Sequence, residues 1–220
     1  MPVDARWRPS RLVVASGNRH KIVEIERMLS QAAPQLQVSG QADHGSPPSI
    51  AETADDFAGN AGLKARGIAA WLRSRGMAGD TAVLADDSGV CVDVLGGAPG
   101  VRSARFAGED ATDEDNNARL VEQLQAHGCA RSPGHYRCVI ALCRVDGEPW
   151  PAPVGVVRCF DGRWEVELRI EARGTAGFGY DPHAWLPEEI TVAELPPDDK
   201  AARSHRGEAM RGLLSWFSSP

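Results

Sequence analysis

Thr81-Ala82-Val83-Leu84-Ala85-Asp86-Asp87-Ser88-Gly89 is the stretch on which the reading of this chain turns. Thr81 to Ala85 is a short, mostly apolar run of the kind that forms a buried strand. It meets two adjacent carboxylates, and Ser88-Gly89 then reads as a turn before Val90 to Leu95 resume as a second strand. Carboxylates at the carboxyl end of a buried strand sit where α/β sheets open their ligand crevices. Two neighbouring negative charges repel each other unless something compensates them. A hard cation such as Mg²⁺ does this well, because it accepts one or two protein carboxylates and keeps its other positions for water and phosphate. A solvated turn is the competing reading, since Asp, Ser and Gly are all good turn formers.

Upstream, Arg11-Leu12-Val13-Val14-Ala15 reads as another buried strand. Ser16-Gly17-Asn18-Arg19-His20-Lys21 follows, and then a helix with Ile22, Ile25, Met28 and Leu29 on one stripe. Strand, polar turn and helix together point free N–H groups and a positive dipole end at whatever binds there. Lys21 opposes that dipole, and an anion held at the terminus would compensate it. The G-x-x-x-x-G-K pattern is absent, so this is not a Walker loop. Residues 40–51 read as a loop, and a second helix is expected from Ala54-Asp55 to Arg75, with Phe57, Ala61, Ile68 and Leu72 along one side. Asn60 and Lys64, four apart, share another face. Gly59, Gly62 and Gly67 each cost that helix up to about 1 kcal/mol relative to Ala. Either a neighbour approaches closely there or the cost is simply tolerated.

Downstream, Gly96-Gly97-Ala98-Pro99-Gly100 reads as a tight loop, and Thr112-Asp113-Glu114-Asp115 as a capping box with a solvated charge run. Leu120, Val121 and Leu124 mark the helix that follows. Strands are expected over Tyr136 to Val145, Val154 to Phe160 and Trp164 to Ile170, separated by Asp146-Gly147, a hairpin signal, and by Asp161-Gly162. Gly174-Thr175-Ala176-Gly177-Phe178-Gly179-Tyr180-Asp181-Pro182 then sets three glycines around two aromatics. Such a loop either lets backbone approach a flat ligand or is pinned by aromatic packing. Lys200, Ser204, His205 and Arg206 precede a last helix through Met210, Leu213, Leu214 and Phe217. Cations at a helix start imply an anionic or acceptor-rich partner.

The 220 residues carry a net charge of −6, which argues against a dedicated nucleic-acid surface. No apolar run approaches the roughly 18 residues a membrane helix needs. Residues 1–10 read as a disordered leader and lack the apolar segment of a secretory signal. The five cysteines form no C-x-x-C pair, so neither a disulfide framework nor a zinc site is indicated, and a reducing cytoplasm fits. Residues 11–220 read as a single domain with two lobes.

Taken in order, Ser16-Gly17-Asn18-x-x-Lys21, Glu52-Thr53-x-x-x-Phe57 with Asn60 and Lys64, Ala85-Asp86-Asp87-Ser88-Gly89, Gly96-Gly97-Ala98-Pro99-Gly100, Gly177 to Pro182, Ala193-Glu194-Leu195, and Lys200 with Ser204-His205-Arg206 resemble the inosine/xanthosine triphosphate pyrophosphatase family. That resemblance spans Val13 to about Leu214. It implies an α/β fold with an elongated mixed sheet flanked by helices, and two lobes around a central nucleotide cleft. It implies a homodimer, and Mg²⁺-dependent hydrolysis of non-standard purine nucleoside triphosphates (dITP, ITP, XTP) to monophosphate and pyrophosphate. In roles, Ser16, Gly17, Asn18, Arg19, His20 and Lys21, with Lys64, would hold the triphosphate. Glu52, Asp86 and Asp87 would surround Mg²⁺, with Asp87 as the base. Ser88 would touch substrate, while Phe178, Gly179, Tyr180, Asp181, Lys200, His205 and Arg206 would enclose the purine. Ser16 stands where the family commonly has Thr, and Ala51 and Gly59 stand where it often has Glu. A pyrophosphatase for another modified nucleotide, or a module that binds nucleotide without hydrolysing it, are the alternatives.

Overall fold

The computed structural model describes residues 8–77, 79–149 and 156–218. β1 (Arg11–Val14) leads through α1 (Arg19–Ala32) to β2 (Gln37–Gly40), and α2 (Phe57–Ser74) leads on to β3 (Thr81–Val92). β1 runs parallel to both β2 and β3, with Val14 opposite Gly40 on one side and Leu84 on the other. The two crossovers go in opposite directions, so right-handed connections put α1 and α2 on opposite faces. The chain continues through α3 (Asp113–Ala126), β4 (Arg131–Arg144), β5 (Val157–Arg169), β6 (Ala184–Trp185), α4 (Pro197–Arg203) and α5 (His205–Ser218). All six strands form one sheet in the order β2-β1-β3-β4-β5-β6, mixed because β6 runs antiparallel to β5.

Two compact units share the chain. The first comprises Met1–Asp87, Val139–Asp161 and Ala209–Pro220. Its core takes Leu12 to Val14 from β1, Ile25 and Leu29 from α1, and Phe57, Ala61, Ile68 and Leu72 from α2, the stripe the spacing predicts. Asp56 starts α2 two residues later than expected, its carboxylate accepting from Gly59 N at 2.6 Å. The helix glycines have a steric reason: a Cβ on Gly67 would lie 2.5 Å from Ile50 Cδ1, and one on Gly59 2.5 Å from Ala54 Cβ. Of the leader expected over 1–10, residues 1–7 lie outside the described residues. Arg8 donates to the Trp216 carbonyl at 2.9 Å and lies over that indole. The second unit comprises Ser88–Cys138 and Gly162–Glu208, with a core built on Val90, Val92, Leu120, Leu124, Tyr136, Val166 and Leu168.

Three local expectations are corrected. β3 does not stop at Asp86; it runs unbroken through Asp87, Ser88 and Gly89 to Val92. Gly89 is there for space and not for a turn, because a Cβ would stand 2.3 Å from Ser103 Oγ and 2.4 Å from the Gly100 carbonyl oxygen. Likewise β5 passes through Asp161-Gly162, whose Gly162 is buried and keeps the inward alternation of Val166 and Leu168. Asp146-Gly147 does turn the chain, Gly147 N donating to Arg144 O at 3.2 Å, but β5 begins only at Val157, so this is no two-residue hairpin. Val154, expected to open that strand, lies outside the described residues.

Candidate active site

In the first unit, β1 ends in register with Leu84, so the chain leaves the sheet beside Asp86-Asp87. Ser16 Oγ accepts from Asn18 N at 3.1 Å, and Asn18 Oδ1 accepts from Lys21 N at 3.2 Å, which caps α1. Gly17, Asn18, Arg19 and His20 are exposed. Lys21 Nζ lies 3.2 Å from Asp86 Oδ2, so a carboxylate offsets the cation that opposes this helix dipole. Consecutive strand residues face opposite sides. Asp86 accordingly meets Lys21 of α1, and Asp87 meets Lys64 of α2.

Lys64 Nζ lies 2.9 Å from Asp87 Oδ1 and 2.8 Å from Glu52 Oε1, so one cation is shared by two carboxylates. Asn60, one turn earlier, accepts from Ala54 N at 2.9 Å and fixes the loop that carries Glu52. Burial pulls the Lys64 pKa down, but Asp87, Asp86 and Glu52 together outweigh it and hold the ammonium above its ordinary value. Burial pushes Asp87 above the usual carboxylate range despite Lys64 beside it. A buried carboxylate with a raised pKa is a stronger base than an exposed one. Asp87 Oδ2 is buried and accepts no hydrogen bond. Among the described residues, no three His, Cys, Asp or Glu side chains gather as a preformed metal cage.

In the second unit, Lys200 and Arg206 both lie over one aromatic ring. Lys200 Nζ is 4.5 Å and Arg206 Cζ 5.8 Å from the Phe178 ring centre. Arg206, only 1% exposed, donates to Ser88 Oγ at 3.0 Å. Asp181 accepts from Lys200 Nζ at 2.7 Å, from Phe178 N at 2.9 Å and from Tyr136 Oη at 3.1 Å. The sequence places these cations before the last helix; instead Lys200 lies in α4, and His205 and Arg206 open α5. Ser204 makes this possible by accepting from Gly207 N at 3.0 Å, which caps α5. A strip of acceptor-rich, flat ligand suits an aromatic face with two cations beside it.

Residues 12–216 match the Ham1 family. This chain belongs to that family. A dITP/XTP pyrophosphatase of Acinetobacter baumannii (strain AB307-0294) is 41% identical over 204 residues, covering 91% of each chain. Another protein of that name, from Chromobacterium violaceum, is 42% identical over 205 residues, covering 93% of this chain and 95% of its own. A solved HAM1 protein from Coxiella burnetii superposes with a TM-score of 0.78 at 36% identity, over 93% of this chain and 96% of that one.

Several contacts of this second unit are not evident from the sequence. Asp113, one of a charge run expected to be solvated, accepts from Gly179 N at 2.6 Å, and Asn117 donates to Gly179 O at 2.9 Å. One turn of α3 therefore clasps both sides of the glycine between Phe178 and Tyr180. Tyr180 Oη donates to Ser103 O at 2.8 Å, fixing the loop's other end. Tyr136, expected only as a strand residue, stacks on His205 with ring centres 4.8 Å apart. The capping box gave the one local signal, since it places Asp113 in the first turn of α3.

Proposed function

We propose that this chain hydrolyses non-standard purine nucleoside triphosphates, dITP, ITP and XTP, to the monophosphate and pyrophosphate. What carries the reading is the Lys64–Glu52–Asp87 cluster, in a chain whose relatives are named dITP/XTP pyrophosphatase. Glu52 and Asp87 already share one cation, and Asp87 Oδ2 has a buried, unmatched negative oxygen. That donor set fits Mg²⁺, which prefers carboxylate oxygens and needs only one or two of them. Glu52 and Asp87 would hold it, while Asp86, facing the other side of β3, pairs with Lys21. When bound, Mg²⁺ supplies a hard positive charge that offsets phosphate and acidifies water.

The protein's own residues do the rest. Residues 16–21 and Lys64 bind and orient the triphosphate, whose negative charge matches the lysines. Water attacks the α-phosphorus, the bond to the α–β bridging oxygen breaks, and pyrophosphate leaves with those electrons. Asp87 orients that water and takes its proton. Phe178, Lys200 and Arg206 bind the purine. The same reading includes a cytoplasmic homodimer; among the described residues no helix is long and apolar enough to cross a membrane.

A panel of nucleoside triphosphates incubated with Mg²⁺ and scored for pyrophosphate against phosphate tests this. Pyrophosphate release from ITP, dITP and XTP far above that from ATP is expected. Equal rates on ATP and ITP, or release of single phosphates, would overturn the reading.

A further inference from the structure

We propose that Tyr136 sets base selectivity by occupying the Asp181 carboxylate, so that this carboxylate offers no open acceptor beside Phe178. The inference rests on the proposed purine site and goes beyond it to Tyr136, a residue outside that set. Asp181 accepts from Lys200 Nζ at 2.7 Å and is 4% exposed. Its Oδ2 takes Lys200 Nζ and Phe178 N, while its Oδ1 takes the Tyr136 hydroxyl at 3.1 Å. Burial, with Asp181 beside it, holds the Tyr136 phenol well above its ordinary pKa, so it stays a donor. The Tyr136 ring is itself fixed, lying 8° from parallel with His205.

Chemistry then sorts the purines. Lys and Arg side chains only donate. Hypoxanthine and xanthine offer oxygens or a C–H at positions 2 and 6. Adenine carries an amino group at position 6 and guanine at position 2, and each would leave a donor facing donors. Without the Tyr136 hydroxyl, Asp181 Oδ1 loses its donor, and a buried acceptor left open is costly until something fills it. An exocyclic amine can fill it. Tyr136 is thus a positioning residue that hides a buried acceptor a standard purine's amine would otherwise use.

Tyr136→Phe keeps the ring and removes the donor. The ratio of kcat/KM for ITP over GTP should fall about tenfold, the equivalent of one good hydrogen bond, mostly through a lower KM for GTP. A role in packing alone would leave Tyr136→Phe like wild type and damage only Tyr136→Leu; that outcome overturns the proposal. The unmodified enzyme gives a test that does not depend on a variant folding. The triphosphate of 2-aminopurine riboside should be turned over about tenfold less well than that of purine riboside, and equal rates would also overturn it. Calorimetry with IMP and GMP separates this inference from the reading of function. Wild type should prefer IMP and Tyr136→Phe should lose that preference, whether or not ITP is hydrolysed; equal binding of the two by wild type overturns it.

Discussion

Lys64 donates to Asp87 at 2.9 Å inside a pair whose two members are both held above their ordinary pKa values. Lys64 therefore stays charged, and Asp87 is a carboxylate that takes a proton more readily than one in water. Replacing Asp87 by Asn preserves the shape and removes that basicity. Turnover of ITP should fall ~10²–10⁴-fold, with nucleotide affinity kept within a few-fold. Single-turnover kinetics and a binding isotherm on the same protein check both halves, and a variant keeping a tenth or more of wild-type turnover rules Asp87 out as base.

Gly89→Ala tests why β3 can run straight through the acidic pair. The added methyl would meet Ser103 Oγ and, less forgivingly, backbone at Gly100 O, 2.4 Å away. Overpacking of this kind costs about 1–3 kcal/mol, and a chain of this size loses roughly 2–4 °C per kcal/mol. A melting temperature within a degree of wild type would show that the two segments can separate without cost.

What could be read from sequence divides by distance along the chain. The capping box of Thr112 and Asp115 and the Phe57–Leu72 stripe depend on residues three or four apart, and both appear as spacing predicts. The Lys64–Asp87 pair joins residues 23 positions apart, and the Asp181 network reaches Tyr136, 45 positions away. A pair of adjacent carboxylates looks like the end of a strand until the lysines that neutralise it are in place. Gly89 and Gly162 look like turns for the same reason: a glycine's steric neighbours are not its sequence neighbours. Asp113 shows the converse, a residue whose local role as a first-turn acid was legible while its bond to Gly179, 66 positions on, was not.

His183 should give the fold an acid-sensitive step. It is 7% exposed, with Nδ1 2.8 Å from the Arg169 carbonyl oxygen, and burial pulls its pKa below 6.5 although that bond opposes the shift. The folded state thus prefers neutral imidazole. Its contribution is present above 6.5 and is lost as pH falls through that value toward the folded pKa. Thermal melts across that range should show a decline that is shallower in His183→Gln. Identical slopes for both proteins would assign the decline to other groups.

Arg206 is the last test, because its side chain is the most deeply buried cation near Phe178 and its donation to Ser88 fixes where it points. A guanidinium is charged at every accessible pH and can only donate. An oxygen at purine position 6 satisfies it, whereas an amino group leaves it facing a donor. A site built to hydrogen-bond one group can reject its absence by ~10⁴–10⁵. Arg206→Ala should therefore compress the ITP-to-ATP ratio of kcat/KM, chiefly by lowering the ITP value and leaving ATP nearly where it was. The same substitution removes a donor from Ser88, so Ser88→Ala is the control: it should weaken both substrates alike. If Arg206→Ala does the same, lowering ITP and ATP in proportion, the guanidinium holds the strand and does not read the base.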